Sequence, residues 1–254
     1  MRKYGFKLFS TNLQNNPVFV DEAAAFVRAN NKEMFVELMV VPSTPAEDWG
    51  IFRRKFAGLE VTIHAPHNAM NFDTGYRERF ESNAKILQAA QQAADLFDAK
   101  VKKENLEETA RQFRLFNDPR IVIENLPYAA DDVEGVMHGT TPEQIKYVMD
   151  YAGCGFCFDF SHAVCAANSL GLDLEKQLSG FYKLSPTVYH MCDGNIKGTE
   201  DCHMHYGEGN FPLKEFLQKY VAPDAMITME TGMGMPKDAS AWIEDFGYLH
   251  QLQK

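Results

Sequence analysis

The chain has 254 residues, 45% hydrophobic and 24% charged, a composition that supports a large buried core. Its formal net charge of -10 excludes a chain-wide basic footprint for nucleic acid, although metal ions in a cleft reverse the local field. MRKYGFKLFS lacks an adequate apolar signal core, and no apolar run approaches the ~18 residues of a membrane span, so the expectation is a cytoplasmic protein with no membrane partner.

Strand-like apolar runs alternate with helical patterns along the whole chain. The pattern predicts a strand at 4–10, a helix at 18–29, a strand at 34–41, a helix at 47–57 and a strand at 60–65 ended by Pro66. A long helix at 77–98 and a second at 106–116 follow, then a strand at 120–126 ended by Pro127. Thr141-Pro142-Glu143-Gln144 is a helix start, with a hydroxyl cap, proline at the first helical position and an acid next; that helix ends near Gly153. A strand at 155–160, a helix at 172–184, a strand at 187–191, a helix from Pro212 to 220, a strand at 225–231 and a helix at 240–252 complete the chain.

Repeated short strand, loop and helix units predict a parallel α/β sheet, read as a single-domain (β/α)8 TIM barrel over residues 1–254. One strand, due at about residues 99–103, is not recognisable. AKVKKENLE is too short and too charged to hold a barrel strand with its loops. Either the barrel has seven strands, or residues adjacent near Lys100-Val101 are separated in the natural chain. Closure of the hydrogen-bond ladder favours the second.

The five cysteines, Cys154, Cys157, Cys165, Cys192 and Cys202, are odd in number and fit a reducing compartment. Cys154-Gly-Phe-Cys157 has C-x-x-C spacing without a second pair, so buried strand cysteines are expected rather than a zinc or redox pair.

Five strands carry a polar residue at or near the C-terminal end: His64, Glu124, Asp159, His190 and Glu230. Parallel barrel strands are apolar on both faces, and a charge repeated at their C-terminal tips is what a site at the top of a barrel requires. Burying Glu124, Asp159 and Glu230 together without cations would cost several kcal/mol each, and mixed His and carboxylate donors suit Zn, Mn or Fe. Asp201 and His203, two apart in an extended segment, face the same way and with His162 form a possible second two-His, one-carboxylate site. His205 continues the alternation and is a candidate for substrate binding. His138 and His250 are assigned no chemistry.

These residues resemble the xylose-isomerase-like TIM barrels, and within them endonuclease IV, the family 2 AP endonucleases. The resemblance runs from about His64 to Glu230. It is carried by His64-Ala-Pro, Glu124-Asn125-x-Pro127, Asp159-x-x-His162-Ala, His190-x-x-Asp193, Asp201-x-His203 with Gly207-x-Gly209, and Glu230-Thr, in the family's order and spacing. It implies a phosphoester hydrolase holding two or three zinc ions. His64 and Glu124 would hold one ion. Glu124 would bridge to a second on Asp159, His190 and Glu230, and His162, Asp201 and His203 would hold a third. Glu124 and Glu230 are the implied catalytic carboxylates, and His67 and Asn125 join His205 as implied substrate contacts.

The sequence also departs from that family. A further histidine ligand belongs to a His-x-Gly motif on the strand absent here. His67 stands near a position where the DNA enzymes carry an aromatic residue. Val36-Glu37-Leu38 resembles the second strand of sugar isomerases and epimerases of the same superfamily. Those relatives imply one Mn, Co or Mg ion on Glu124, Asp159, His190 and Glu230, proton transfer between Glu124 and Glu230, and His162 touching sugar. The expected substrate is therefore a phosphoester, DNA included, or a sugar. Asp201-x-His203, not required by the isomerases, favours the hydrolase. The sequence leaves the oligomeric state open.

Overall fold

A computed structural model of the protein describes residues 1–66, 70, 72, 74, 77–97, 106–129, 136–232 and 236–252. Seven parallel strands form one sheet: β1 (Lys3–Phe9), β2 (Met34–Met39), β3 (Val61–His64), β4 (Val122–Glu124), β5 (Gly155–Asp159), β6 (Val188–Met191) and β7 (Met226–Met229). Their order is β3-β2-β1-β7-β6-β5-β4. The first strand pairs with the last, Tyr4 opposite Ile227, so the sheet curls as a TIM barrel does. β3 and β4 are its two ends among the described residues. An eighth strand of a barrel belongs between them, and the expected position at 99–103 lies outside the described residues.

Period-two alternation sorts the strand residues. Phe6, Leu8, Val36, Leu38, Ile63, Ile123, Phe156, Phe158, Tyr189, Ile227 and Met229 form the outer core with the helices. Val122, Cys157 and Val188 form a small separate apolar cluster on the inner face. Lys7, Glu37, Thr62, His64, Glu124, Asp159, His190 and Thr228 share the inner set. At Gly5 a Cβ would overlap the Phe35 ring, so glycine there lets that ring fill the inside below Lys7.

The helices are α1 (Asn12–Asn15), α2 (Pro17–Ala29), α3 (Ala46–Lys55), α4 (Phe80–Phe97), α5 (Leu106–Phe116), α6 (Pro142–Ala152), α7 (Phe160–Leu170), α8 (Leu174–Tyr182), α9 (Leu213–Tyr220) and α10 (Ser240–Leu252). Thr141 caps α6 by accepting from Gln144 N–H, and Gly153 ends it in the left-handed region at φ 73°. Pro212 takes the cap position of α9 rather than the expected first helical one. The sequence reading missed α1 and α7. In α7 buried residues occupy most of the helix, Phe160, Ser161 and Ala163 through Ala167, so no polar stripe marks a helical period. Its signals are its ends: Asp159 accepts from His162 N–H at 2.7 Å, and Gly171 closes it at φ 65°.

Candidate metal centre

The strand ends bring their polar residues into one buried cluster. His190 Nδ1 lies 2.8 Å from Glu124 Oε1, 2.5 Å from Glu230 Oε1 and 3.9 Å from Asp159 Oδ2. Single donor atoms of Glu124, Asp159, His190 and Glu230 all lie within 4.8 Å of one another, a spacing that one ion can draw together. His64 Nε2 stands 3.8 Å from Glu124 Oε2 at the edge of the group. His190 is fully buried and Glu124 and Glu230 nearly so.

The second group comes from the loop after β6. Asp193 organises that loop: its carboxylate accepts N–H bonds from Gly194, Gly207, Gly209 and Phe211 at 2.8–3.1 Å. A Cβ at Gly209 would strike the Gly194 backbone, so the loop closes on itself only with glycine there. Asp193 and Met204 exchange backbone bonds of 3.0 and 3.1 Å, which folds the intervening segment back over the strand ends. Asp201 Oδ2 then lies 3.1 Å from His162 Nε2 and 2.9 Å from His203 Nε2. Ser161 Oγ donates to Asp201 Oδ1 at 2.7 Å. His203 sits at φ 46°, a strained backbone for a non-glycine residue. Gly232 N–H donates to the His203 carbonyl at 2.7 Å and helps hold it there.

Each of these histidines is anchored through one ring nitrogen. His162 Nδ1 lies 2.9 Å from the Asn125 carbonyl, His203 Nδ1 2.8 Å from the Glu230 carbonyl, and His64 Nδ1 2.7 Å from the Ala65 carbonyl. A carbonyl only accepts, so each Nδ1 carries the proton and Nε2 is left to face the carboxylates. His190 is turned round: Nε2 faces Glu37 Oε1 at 3.0 Å while Nδ1 faces the cluster. Glu37 is itself held by hydroxyl donors, Thr228 at 2.7 Å and Thr62 at 3.4 Å. One nitrogen anchored on an oxygen and the other aimed at a shared point is how metal-binding imidazoles are oriented.

The charges of the site need cations. Glu37, Glu124, Asp159, Asp201 and Glu230 converge with one lysine, Lys7, among the described residues, and Lys7 pairs with Glu230. Burial, aided by the charges of Asp201, Glu230 and Glu124, pushes Asp159 up to about 6 against the pull of His162. Burial alone would lower the His203 pKa, but the bond to Asp201 and the charges of Asp201 and Glu230 outweigh it and raise it to about 9. Burial likewise opposes ionisation of Glu230, yet His190 and Lys7 hold it well below the usual carboxylate range. A proton on His203 thus supplies positive charge beside carboxylates that stay ionised, and such a buried donor set could hold a divalent ion.

The structure thus brings His64, Glu124, Asp159, His162, His190, Asp201, His203 and Glu230 together. Asn125, an expected substrate contact, is buried: its amide donates to the Asp159 carbonyl at 2.7 Å and accepts from Asp159 N–H at 2.8 Å, which ties the end of β4 to β5. His205 Nδ1 lies 2.7 Å from Asp245 Oδ2, with Nε2 beside Gly232. His67 lies outside the described residues. Lys7 and Glu37 were missed as site residues because they lie inside apolar strands, one layer below the tips. Their register, Lys7 opposite Glu37 opposite Thr62, puts them on the inner face.

No protein-family model matches the chain, and no curated protein does. Solved structures do. Endonuclease IV from Thermus thermophilus is 20% identical with a TM-score of 0.67, over 99% of this chain and 98% of that one. A D-tagatose 3-epimerase-like protein is 17% identical with a TM-score of 0.68, over 98% and 96%. A putative xylose isomerase from Rhodospirillum rubrum is 11% identical with a TM-score of 0.71, over 100% and 99%. The likeness at these identities is one of fold: the chain has the fold of the xylose-isomerase-like TIM barrels. No helix among the described residues is long and apolar enough to cross a membrane.

Proposed function

We propose that this protein is a divalent-metal-dependent hydrolase of a phosphoester. The observation that carries the reading is the second cluster, with Asp201 Oδ2 2.9 Å from His203 Nε2 and 3.1 Å from His162 Nε2, beside the strand-end cluster. A single-ion proton shuttle has no use for that set. Zinc is one of the ions that such a mixed imidazole and carboxylate donor set suits. Bound ions supply Lewis-acid polarisation of a phosphoryl oxygen and acidify a water molecule. The chain supplies the positioning. The two oxygens of Glu124 reach towards His190 and His64, so this carboxylate spans both sides of the cluster and orients the attacking water. His190 and Lys7 together keep Glu230 ionised, and Glu37 keeps the ring of His190 in place.

A second reading is favoured by one feature: Glu124 and Glu230 converge on the same His190 nitrogen, the spacing a proton shuttle between two carboxylates uses. It describes a sugar isomerase or epimerase with one Mn, Co or Mg ion. Metal analysis of purified protein, run beside assays on abasic-site DNA, small phosphoesters and a ketose–aldose panel, separates the two. The hydrolase reading expects two or three ions per chain, phosphoester cleavage, and loss of that cleavage in Asp201→Asn. One ion per chain with sugar turnover that survives Asp201→Asn overturns it.

A further inference from the structure

The geometry points to Cys192 as a thiolate ligand of the second cluster, beside Asp201, His203 and His162, and so to a subsite for zinc rather than magnesium or manganese. The inference rests on the metal reading above and changes what that subsite selects. Cys192 follows His190 by two residues, so it continues the inward alternation, while Met191 between them packs in the outer core. It is 1% exposed, yet it takes no part in either apolar cluster. Its neighbours are polar instead. Cys192 Sγ lies 3.9 Å from Asp201 Oδ1, and single donor atoms of Cys192, Asp201 and His203 all lie within 4.8 Å of one another.

Those spacings suit an ion. With bonds of ~2.0–2.3 Å, adjacent donors of a tetrahedral site stand about 3.3–3.7 Å apart. Asp201 meets the two imidazoles through Oδ2 at 2.9 and 3.1 Å and the sulfur through Oδ1 at 3.9 Å, contacts that fall on either side of that value. Cys192, Asp201 and His203 make a three-donor set of one sulfur, one oxygen and one nitrogen, and His162 also meets Asp201 Oδ2 at 3.1 Å. Binding displaces the thiol proton to the buffer, with no change of oxidation state. Thiolate donors select zinc and cobalt(II) over the hard oxygen-loving ions. The other reading of Cys192 is a thiol that does no more than donate a hydrogen bond to Asp201.

Zinc-edge X-ray absorption on the zinc-loaded, full-length protein tests this without a mutation. The expected result is a sulfur shell at about 2.3 Å beside nitrogen and oxygen shells. Cobalt(II) loading gives a second reading. A sulfur-to-cobalt charge-transfer band is expected in the near ultraviolet, lost in Cys192→Ser and retained in Cys157→Ala and Cys202→Ser. Zinc competition should show at least about a 100-fold loss of affinity at one site in Cys192→Ser. Bound zinc with nitrogen and oxygen shells only overturns the inference and leaves the two-cluster reading standing. A band lost in Cys157→Ala instead moves the sulfur ligand to the strand-end cluster and also overturns it. A protein that binds no zinc fails the function reading itself.

Discussion

Glu37 orients His190 from behind, and its own carboxylate falls with His64, His190 and Glu230 in a donor group within 4.8 Å. Two threonine hydroxyls hold one of its oxygens, and the other meets His190 Nε2 at 3.0 Å. That bond settles which nitrogen of His190 faces Glu124 and Glu230. Glu37→Gln keeps the shape and removes the charge. It should lower divalent-metal affinity by about 10–100-fold, as loss of an anchoring carboxylate behind a ligand imidazole does, while the circular dichroism of the protein stays unchanged. Unaltered zinc affinity by competition with a chelating dye would show that the ring needs no such anchor. The strand-tip carboxylates and histidines were legible in the sequence because each interrupts an apolar run at its end. Glu37 and Lys7 were not, since a charge in mid-strand marks an inner face only once the sheet is known to curl.

At the scale of elements, the βα units were legible from alternating apolar runs and caps, and the failures have physical causes. α7 is buried on most sides, so it lacks the polar stripe that reveals a helix. The loop from Cys192 to Phe211 read as a polar stretch, but its shape depends on one buried aspartate, Asp193, gathering four N–H groups. Asp159 joins two elements. Its Oδ1 caps α7 and its Oδ2 faces His190, so one side chain both starts the helix and serves the cluster. The two roles separate by substitution. Asn caps a helix as well as Asp, so Asp159→Asn should hold the stability of the metal-free protein and weaken metal binding, whereas Asp159→Ala should also lose about 1 kcal/mol from the missing cap. Equal stability of the two variants in urea melts would show that the cap contributes nothing.

For the whole molecule the question is what stabilises a barrel with five acids gathered at one end. In the metal-free state the answer is protons on His162, His203 and Asp159. His203, lifted to about 9 by Asp201 and Glu230 against burial, adds stability that is fully present below its unfolded value of 6.5 and is lost as pH rises through about 9. Asp159, raised by burial to about 6, has already lost its protonated-state contribution by that point. The chelator-treated protein should therefore melt at progressively lower temperature between about pH 6.5 and 9. Divalent ions compete with those same protons, so their affinity rises across the same window. Zinc at about 1,000 times its dissociation constant adds about 4 kcal/mol to the folded state. The melting temperatures of zinc-loaded and chelated protein should thus diverge as pH rises, and His203→Gln should flatten the chelated curve. A gap that is constant or narrows towards pH 9 would mean that protons and metal do not share these donors.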